Sequence, residues 1–255
     1  MSDVLAALKP SELAAWYRRL ADRVDRNRGE LKSSLAALLL RHWLDNRDPA
    51  SSFTFDVPDH IWNHSLLREA WEFHRRVFLS QEQARFTGGI KKWAGVVPRL
   101  LGLSPFPKWD GSGPLSMEYS SLVETPLRYQ LVGDKADKDL LTSLRGFQLK
   151  TTVVLTTTSL RKGNKWQITF QSFQSKILDR YDFDYKEYFT VDNPDYGSKA
   201  PGAVEPTMNK ITVYHKNAKR LEDAALAAPY DVESRPRQVA DAMLMAPAEV
   251  EARLP

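Results

Sequence analysis

Three carboxylates and a phenol lie within six residues of this chain, in the segment 179–184, which reads Asp-Arg-Tyr-Asp-Phe-Asp. On an extended chain, Asp179 and Tyr181 point to one side and Asp182 points to the other. A bend at this point would bring Asp179 and Asp182 together, and hard carboxylate oxygens of this kind suit Mg²⁺ with a phosphate-bearing substrate. The alternative is a solvated strand end whose aspartates favour a turn.

The residues before this cluster are predicted to form a β-hairpin. Residues 146–160 are rich in Thr and Val, which favour strands. A turn over 161–165 follows, and residues 166–170 alternate with a period close to two, as a second strand would. The hairpin runs into the carboxylates and sets them at a strand end. The other elements predicted in this half are strands over 127–132 and 212–214, a polar loop over 192–210 and helices over 218–228 and 239–245.

The first half of the chain has the periodicity of helices. Apolar residues recur at helical spacing over 13–24, where Ser11 is the expected N-cap, and again over 31–43. Two further helices are expected over 65–78 and 90–100. The segment 103–114 then contains three Pro and two Gly, which excludes regular structure and indicates a domain boundary.

The stretch 146–184 resembles the start of the catalytic region of the colicin M family of antibacterial toxins. The features that carry the resemblance occur in the family's order: Leu149-Lys150-Thr151 in a Thr-rich strand, a turn at Gly163-Asn164, Trp166 in the next strand, and the motif Asp179-Arg180-Tyr181-Asp182-Phe183. The resemblance covers this stretch alone, and its specific part is the motif. It implies hydrolysis of the undecaprenyl-pyrophosphoryl linkage of lipid II with Mg²⁺, which blocks peptidoglycan synthesis.

The resemblance also implies roles for individual residues. Asp179, Tyr181 and Asp182 match the essential residues of the family's motif, and Asp179 and Asp182 would hold the Mg²⁺. The mechanism it implies is attack on a phosphate of the lipid-linked pyrophosphate. The bound metal would neutralise the pyrophosphate charge, and a carboxylate or a histidine would orient the nucleophile.

One part of the family pattern is missing from this chain. The family has a His-Arg pair six and seven residues after the second Asp of the motif, where this chain has Tyr188 and Phe189. If residues 185–214 are an insertion, His215 and Arg220 could supply the missing catalytic groups, and a histidine suits proton transfer near neutral pH. The alternative is that His215 is a packing or surface residue.

The predicted fold class is therefore α+β. An N-terminal helical domain over 1–104, for delivery or docking, precedes a β-rich catalytic domain over 115–255. The second domain is expected to be a curved, antiparallel, half-barrel-like sheet of the colicin M type.

Composition and charge restrict the binding partners and the cellular compartment that this protein is expected to have. The net charge of +4 is small and the charges alternate in sign, so the basic stripe of a nucleic-acid-binding protein is absent. The first residues do not have the pattern of a signal peptide, so the interpretation requires a secreted or injected toxin, such as a type VI secretion effector, that acts in the target periplasm. Its expected partners are lipid II at the outer face of the inner membrane, a cognate immunity protein and a component of the secretion system.

Two other function classes stay open. The chain could be a non-enzymatic toxin or adaptor whose amphipathic helices bind a membrane or a partner. A nuclease is the third possibility, because two aspartates and a histidine permit one. A separate pair, His60 and His64, has the spacing of metal ligands on a helix, but without a third ligand the pair is predicted to lie on a solvated face.

Overall fold

A computed structural model describes residues 3–27, 29, 31–79, 84–86, 89–91, 114–126, 132–159, 165–182 and 188–251. The helices are α1 (Pro10–Arg26), α2 (Leu35–Asp45), α3 (Asp59–Trp62), α4 (Ser65–Leu79), α5 (Lys135–Ser143), α6 (His215–Asp223) and α7 (Ala242–Met245). The strands are β1 (Ser52–Phe55), β2 (Ala84–Phe86), β3 (Gly89–Lys91), β4 (Leu115–Glu124), β5 (Gly146–Ser159), β6 (Lys165–Tyr181), β7 (Tyr188–Asp192), β8 (Lys210–Tyr214), β9 (Tyr230–Ser234), β10 (Arg237–Gln238) and β11 (Ala248–Glu251). The α+β class is confirmed.

Contacts divide the chain into two compact units that interleave along the sequence. Unit 1 consists of Met1–His64, Glu124–Phe147 and Leu178–Ser234, and unit 2 consists of Ser65–Val123, Gln148–Ile177 and Arg235–Pro255. The boundary predicted at 103–114 lies outside the described residues except for Pro114, so the division into domains 1–104 and 115–255 stays a prediction. Most of the helix predicted over 90–100 and of the strand predicted over 127–132 also lies outside them.

Helix α1 begins earlier than the sequence predicted. Pro10 takes the first helical position, where its missing N–H costs nothing, and the Lys9 N–H donates to the Glu12 carboxylate over 2.8 Å. The prediction of Ser11 as the N-cap is therefore wrong, because the proline ring already sets a helical φ angle at residue 10. The buried face contains most of the residues that the spacing indicated: Leu13, Trp16, Tyr17 and Leu20, with Ala21 added.

The N-terminus of α2 is held by a buried carboxylate from α5. Asp139 accepts a hydrogen bond from the Ser34 hydroxyl over 2.6 Å. It also accepts the backbone N–H groups of Leu35 and Ala36, over 2.9 and 3.1 Å. His60 Nε2 in α3 lies 2.8 Å from the same carboxylate. Because the first N–H groups of a helix have no partner inside it, Asp139 satisfies them and joins three helices of unit 1.

The strands of unit 1 bring the end of β6 beside β9. Strand β1 runs parallel to β9, and β9 runs antiparallel to the end of β6. In that register Asp179 lies opposite Val232, and Tyr181 lies opposite Tyr230. The parallel pair is a departure from the predicted antiparallel sheet, because β1 comes from the half of the chain that was expected to be helical.

Strands β7 and β8 form a separate antiparallel hairpin around an ordered loop, residues 193–209. The Asn193 side-chain amide donates to the backbone carbonyls of Val204, Glu205 and Met208 over 2.8–3.0 Å. Asn193 is fully buried, so its three bonds hold the loop from the inside. The predicted polar loop is thus a hairpin connection with its own buried polar centre.

Unit 2 is built on β6, β5 and β4, in that hydrogen-bonded order, with β10 and β11 also paired antiparallel to β6. Helix α4 buries His74 fully, and its two ring nitrogens lie 2.6 Å from the hydroxyls of Thr151 and Ser121. Burial lowers the pKa of His74 to about 3, so the ring is neutral. In neither unit do the described strands form a closed barrel. This agrees with the open, curved sheet that was expected.

We predict that Asp139→Ala lowers the free energy of unfolding by about 2–4 kcal/mol. The variant leaves a hydroxyl, two helix N–H groups and His60 without their acceptor. Urea denaturation followed by circular dichroism measures the change. Asp223→Ala is the control, because this 63% exposed carboxylate forms a surface ion pair with Lys219 that is worth less than about 1 kcal/mol. Equal losses in the two variants would contradict the role of Asp139.

Candidate functional site

Asp179 and Tyr181 share the inward face at the end of β6. Their cross-strand partners in β9, Val232 and Tyr230, are no more than 1% exposed. Directly opposed residues lie on the same face of a sheet, so Asp179 and Tyr181 project towards the interior of unit 1. Both side chains are half-buried, which leaves part of each accessible to solvent. The period-two expectation for these two residues is confirmed.

Asp182 follows the last residue of β6, and its side chain is 59% exposed. The Arg180 guanidinium lies 4.0 Å from it and binds Asp231 over 2.7 Å, on the opposite side of the strand from Asp179. Exposed ion pairs of this kind are worth less than about 1 kcal/mol. Arg180 is therefore a cation beside Asp182 that is held weakly in its position.

Aromatic rings enclose the inward side of the cluster. The Tyr181 ring stacks on the Tyr230 ring with centroids 5.5 Å apart and planes at 26°. The Tyr230 hydroxyl donates to the Leu39 carbonyl over 2.8 Å, which fixes the position of that ring. The His42 ring meets Tyr230 edge-on at 4.5 Å and stacks on Phe53 at 4.0 Å. Packed rings therefore cover Tyr181, which shares the inward face with Asp179.

This environment raises the pKa of Asp179 to about 7. The main cause is burial, which disfavours the charged form, and the nearby Asp182 charge acts in the same direction. A hydrogen bond of 2.8 Å from the Arg180 backbone N–H opposes the shift. A carboxyl group that titrates near neutral pH can both donate and accept a proton at that pH.

The neighbouring phenols are neutral. Burial raises the pKa values of Tyr181 and Tyr230, and the Asp179 charge raises both of them further. Burial also raises the pKa of Tyr17 in α1, with Tyr181 as the next cause. Tyr181 and Tyr230, whose rings stack on each other, are therefore uncharged groups at the end of β6 and the start of β9.

The hairpin of β7 and β8 begins at the sequence position where the family pattern has its histidine. Tyr188 stands at that position, and the register of β7 and β8 pairs it with Tyr214, with ring centroids 5.9 Å apart. His215 is the next residue and begins α6. An insertion folded as a hairpin therefore returns His215 beside the start of β7. Contact between His215 and the carboxylates stays a prediction.

Arg220 is engaged by the segment that precedes α1. Its guanidinium donates to the backbone carbonyl of Leu5 over 3.1 Å and to that of Leu8. These contacts give Arg220 a structural role in holding residues 3–8 against α6. The catalytic role that the resemblance implies for it stays a prediction.

The carboxylates of Asp179 and Asp182 suit Mg²⁺ by their chemistry. This ion is commonly held by one or two carboxylates, and water and substrate phosphates complete its coordination. Within the described ranges, no group of three or more His, Asp and Glu side chains is arranged to hold a metal ion by itself. Binding of Mg²⁺ by these two aspartates, with substrate phosphates completing its coordination, stays a prediction.

The prediction for His60 and His64 is wrong. Neither residue lies on a solvated face: their side chains are 14% and 6% exposed, and each ring lies 2.8 Å from a carboxylate of α5, Asp139 and Asp137 respectively. The i, i+4 spacing matches two aspartates two positions apart on α5. It therefore reflects packing of α3 and the residues directly after it against α5.

Sequence reasoning missed Tyr230 and His42 as neighbours of the motif. The alternation of apolar and polar residues in Tyr230-Asp231-Val232-Glu233 is a strand signal that could have identified the element carrying Tyr230. No local signal connects His42 of α2 with Tyr230, since the two rings are far apart in the sequence and meet through packing.

Comparison of the chain with protein-family models, curated proteins and solved structures found no match. Among the described residues, no helix combines the length and the apolar character needed to cross a membrane.

We predict that Asp179→Asn stabilises the protein increasingly as the pH rises from 4 to 7. The folded-state pKa of Asp179 is about 7 and its ordinary value is 3.8, so between these values unfolding releases a proton. The wild-type free energy of unfolding therefore falls over this range by an amount on the order of 4 kcal/mol, which the neutral amide does not lose. Above pH 7 the difference stays constant.

Denaturation at a series of pH values measures this difference. Asp192→Asn on β7 is the matched control, since its exposed carboxylate meets the Asn27 amide at the surface of the same unit. A pH trend of equal size in both variants, or none in Asp179→Asn, would show that Asp179 is not held in its neutral form.

Proposed function

We propose that this chain is an antibacterial toxin that hydrolyses the undecaprenyl-pyrophosphoryl linkage of lipid II. The observation that carries the proposal is the arrangement at the end of β6. There a half-buried Asp179 shares the inward face with Tyr181, while Asp182 directly after the strand is exposed. The resemblance of the surrounding sequence to the colicin M catalytic region supports the same conclusion.

The two aspartates have different surroundings and suit different roles. Asp182 is exposed and carries its charge outward, where a Mg²⁺ ion shared with the substrate pyrophosphate can be bound. Asp179 is the second metal ligand in the proposal. When bound, the ion would neutralise the pyrophosphate charge and polarise the bond to be broken.

Hydrolysis also requires proton transfer. The attacking water loses a proton as its oxygen bonds to phosphorus, and the oxygen that leaves needs one. A carboxyl oxygen of Asp179 that the ion leaves free is one candidate for receiving the water proton. In the proposal His215 is the second proton-transfer group and Arg220 assists it. Tyr181, neutral and stacked on Tyr230, holds the Asp179 side of the site in place.

The biological setting follows from this substrate. Lipid II exposes its pyrophosphate at the outer face of the inner membrane, so the toxin would act in the target periplasm. A secretion system would deliver it, and the producing cell would need an immunity protein. Residues 1–104 would serve delivery or docking.

We expect Asp179→Asn and Asp182→Asn to lower the rate of lipid II hydrolysis by about 10²-fold or more, the range of acid–base and electrostatic groups. The assay is incubation of the purified protein with lipid II and Mg²⁺, with chromatography of the products. Asp192→Asn removes a carboxylate from the same unit and should retain the wild-type rate. Full activity in either motif variant would exclude this site as the catalytic centre.

Expression in different compartments tests the substrate inside cells. With an added signal peptide the protein should lyse the host, whereas the same chain in the cytoplasm should be nearly harmless, because the pyrophosphate is accessible outside the inner membrane. Viability and cell shape after induction are measured. Killing from the cytoplasm would favour the nuclease alternative, and lysis by the Asp179→Asn variant would favour a non-enzymatic toxin.

A further inference from the structure

Helix α4 is joined to the sheet of unit 2 by one buried imidazole. His74 is fully buried, and its Nδ1 lies 2.6 Å from the Thr151 hydroxyl in β5. Its Nε2 lies 2.6 Å from the Ser121 hydroxyl in β4. The Thr151 hydroxyl in turn lies 2.7 Å from that of Ser175 in β6, and both of these residues are buried. These four residues form the His74 network, which connects the helix with three neighbouring strands.

The hydrogen bonds of the His74 network fit a neutral ring. A neutral imidazole has one N–H donor and one lone pair, so one of the two hydroxyls donates to the ring and the other accepts from it. A protonated ring has two N–H donors, and both hydroxyls would then have to accept. The hydroxyl that had donated to the ring would have to turn its proton to another acceptor. Protonation therefore forces these bonds to rearrange, in addition to burying a charge.

Among the described residues, no carboxylate faces the ring to stabilise a cation there. The titratable group that packs against His74 from β4 is Tyr119, with ring centroids 4.8 Å apart, and burial raises its pKa to about 12. Arg75 donates to the backbone carbonyls of Leu244 and Ala246. The other charged side chains of α4 are exposed: Arg68, Glu69, Glu72 and Arg76. On the strands, the charged neighbours alternate with the inward residues and lie on the outward face: Glu118, Lys150 and Lys176.

We propose that the His74 network makes unit 2 sensitive to acid, because release of α4 from the sheet takes up one proton at His74. In the closed unit the ring is neutral, whereas in the open unit water hydrates it and its pKa returns to the ordinary value of 6.5. Below that value the open state binds one proton more than the closed state. The equilibrium constant for opening therefore rises about tenfold for each unit that the pH falls. The rise ends near pH 3, where the closed unit binds the proton too.

His74 and Asp179 respond to acid with opposite signs. Asp179 in unit 1 binds its proton more tightly in the folded state, so a fall in pH through 7 makes its contribution to stability more favourable. His74 in unit 2 binds its proton less tightly in the folded state, so acid makes its contribution less favourable. The acid response of unit 2 is a property separate from the proposed function, and its test uses no substrate.

The test is hydrogen exchange of the full chain between pH 4.5 and 7.5, measured by mass spectrometry and corrected for the intrinsic exchange rate. His74→Gln keeps a polar side chain but takes up no proton. From pH 7.5 to 4.5, the opening constant of α4 should rise about 100-fold more in the wild type than in this variant. His42→Gln is the matched control: it removes a partly buried histidine from unit 1 and should leave the rise in α4 as it is in the wild type.

An equal rise in the wild type and His74→Gln would overturn the proposal, and so would a rise that His42→Gln abolishes. If His74→Gln does not fold, NMR of the wild type supplies an independent measurement. The ring signals of His74 should then keep their neutral positions down to pH 5 while α4 stays protected from exchange. Titration of this ring near its ordinary pKa with α4 still protected would show that the closed unit accepts the proton, which also overturns the proposal.

Discussion

The candidate site depends on the two-residue periodicity of one long strand. Side chains of β6 alternate between a buried and an exposed face, and Phe173, Ser175 and Ile177 take the buried one. Continued to the end of the strand, the same alternation turns Asp179 and Tyr181 inward. A shift of one residue would expose both of them and bury Arg180 instead. The position of the carboxyl group is thus a consequence of how the apolar residues before it are packed.

Burial at this position has an energetic cost. A carboxyl group on the inward face of the sheet loses hydration, and its neutral form is favoured up to about pH 7. A leucine or a phenylalanine would fill the same space without that penalty. Retaining a carboxyl group in such surroundings is typical of sites that need a proton-transfer group near neutral pH, although structural networks also shift pKa values.

Two carboxylates from different segments, Asp139 and Asp3, hold helices of unit 1 in different ways. Asp139 saturates the N-terminus of α2, where a hydroxyl, two N–H groups and a histidine share its two oxygens. Asp3 meets α6 with an ion pair and a single amide, and the other amide atom of Asn217 lacks a partner among the described residues. The first contact is that of a completed structural cap. The second is a smaller contact, made of one ion pair and one side-chain hydrogen bond.

The sequence by itself determined the α+β class, the helices α1, α2 and α4, the long hairpin of β5 and β6, and the strand-end position of Asp179 and Tyr181. These features follow from periodicity and from local preferences, which act between residues close together in the chain. Only the tertiary structure decided that β1 lies parallel to β9, that Tyr230 covers Tyr181, and that the i, i+4 histidines His60 and His64 bind aspartates of α5. Those contacts join residues far apart in sequence. They form because removing apolar surface from water lowers the free energy, whichever part of the chain covers that surface.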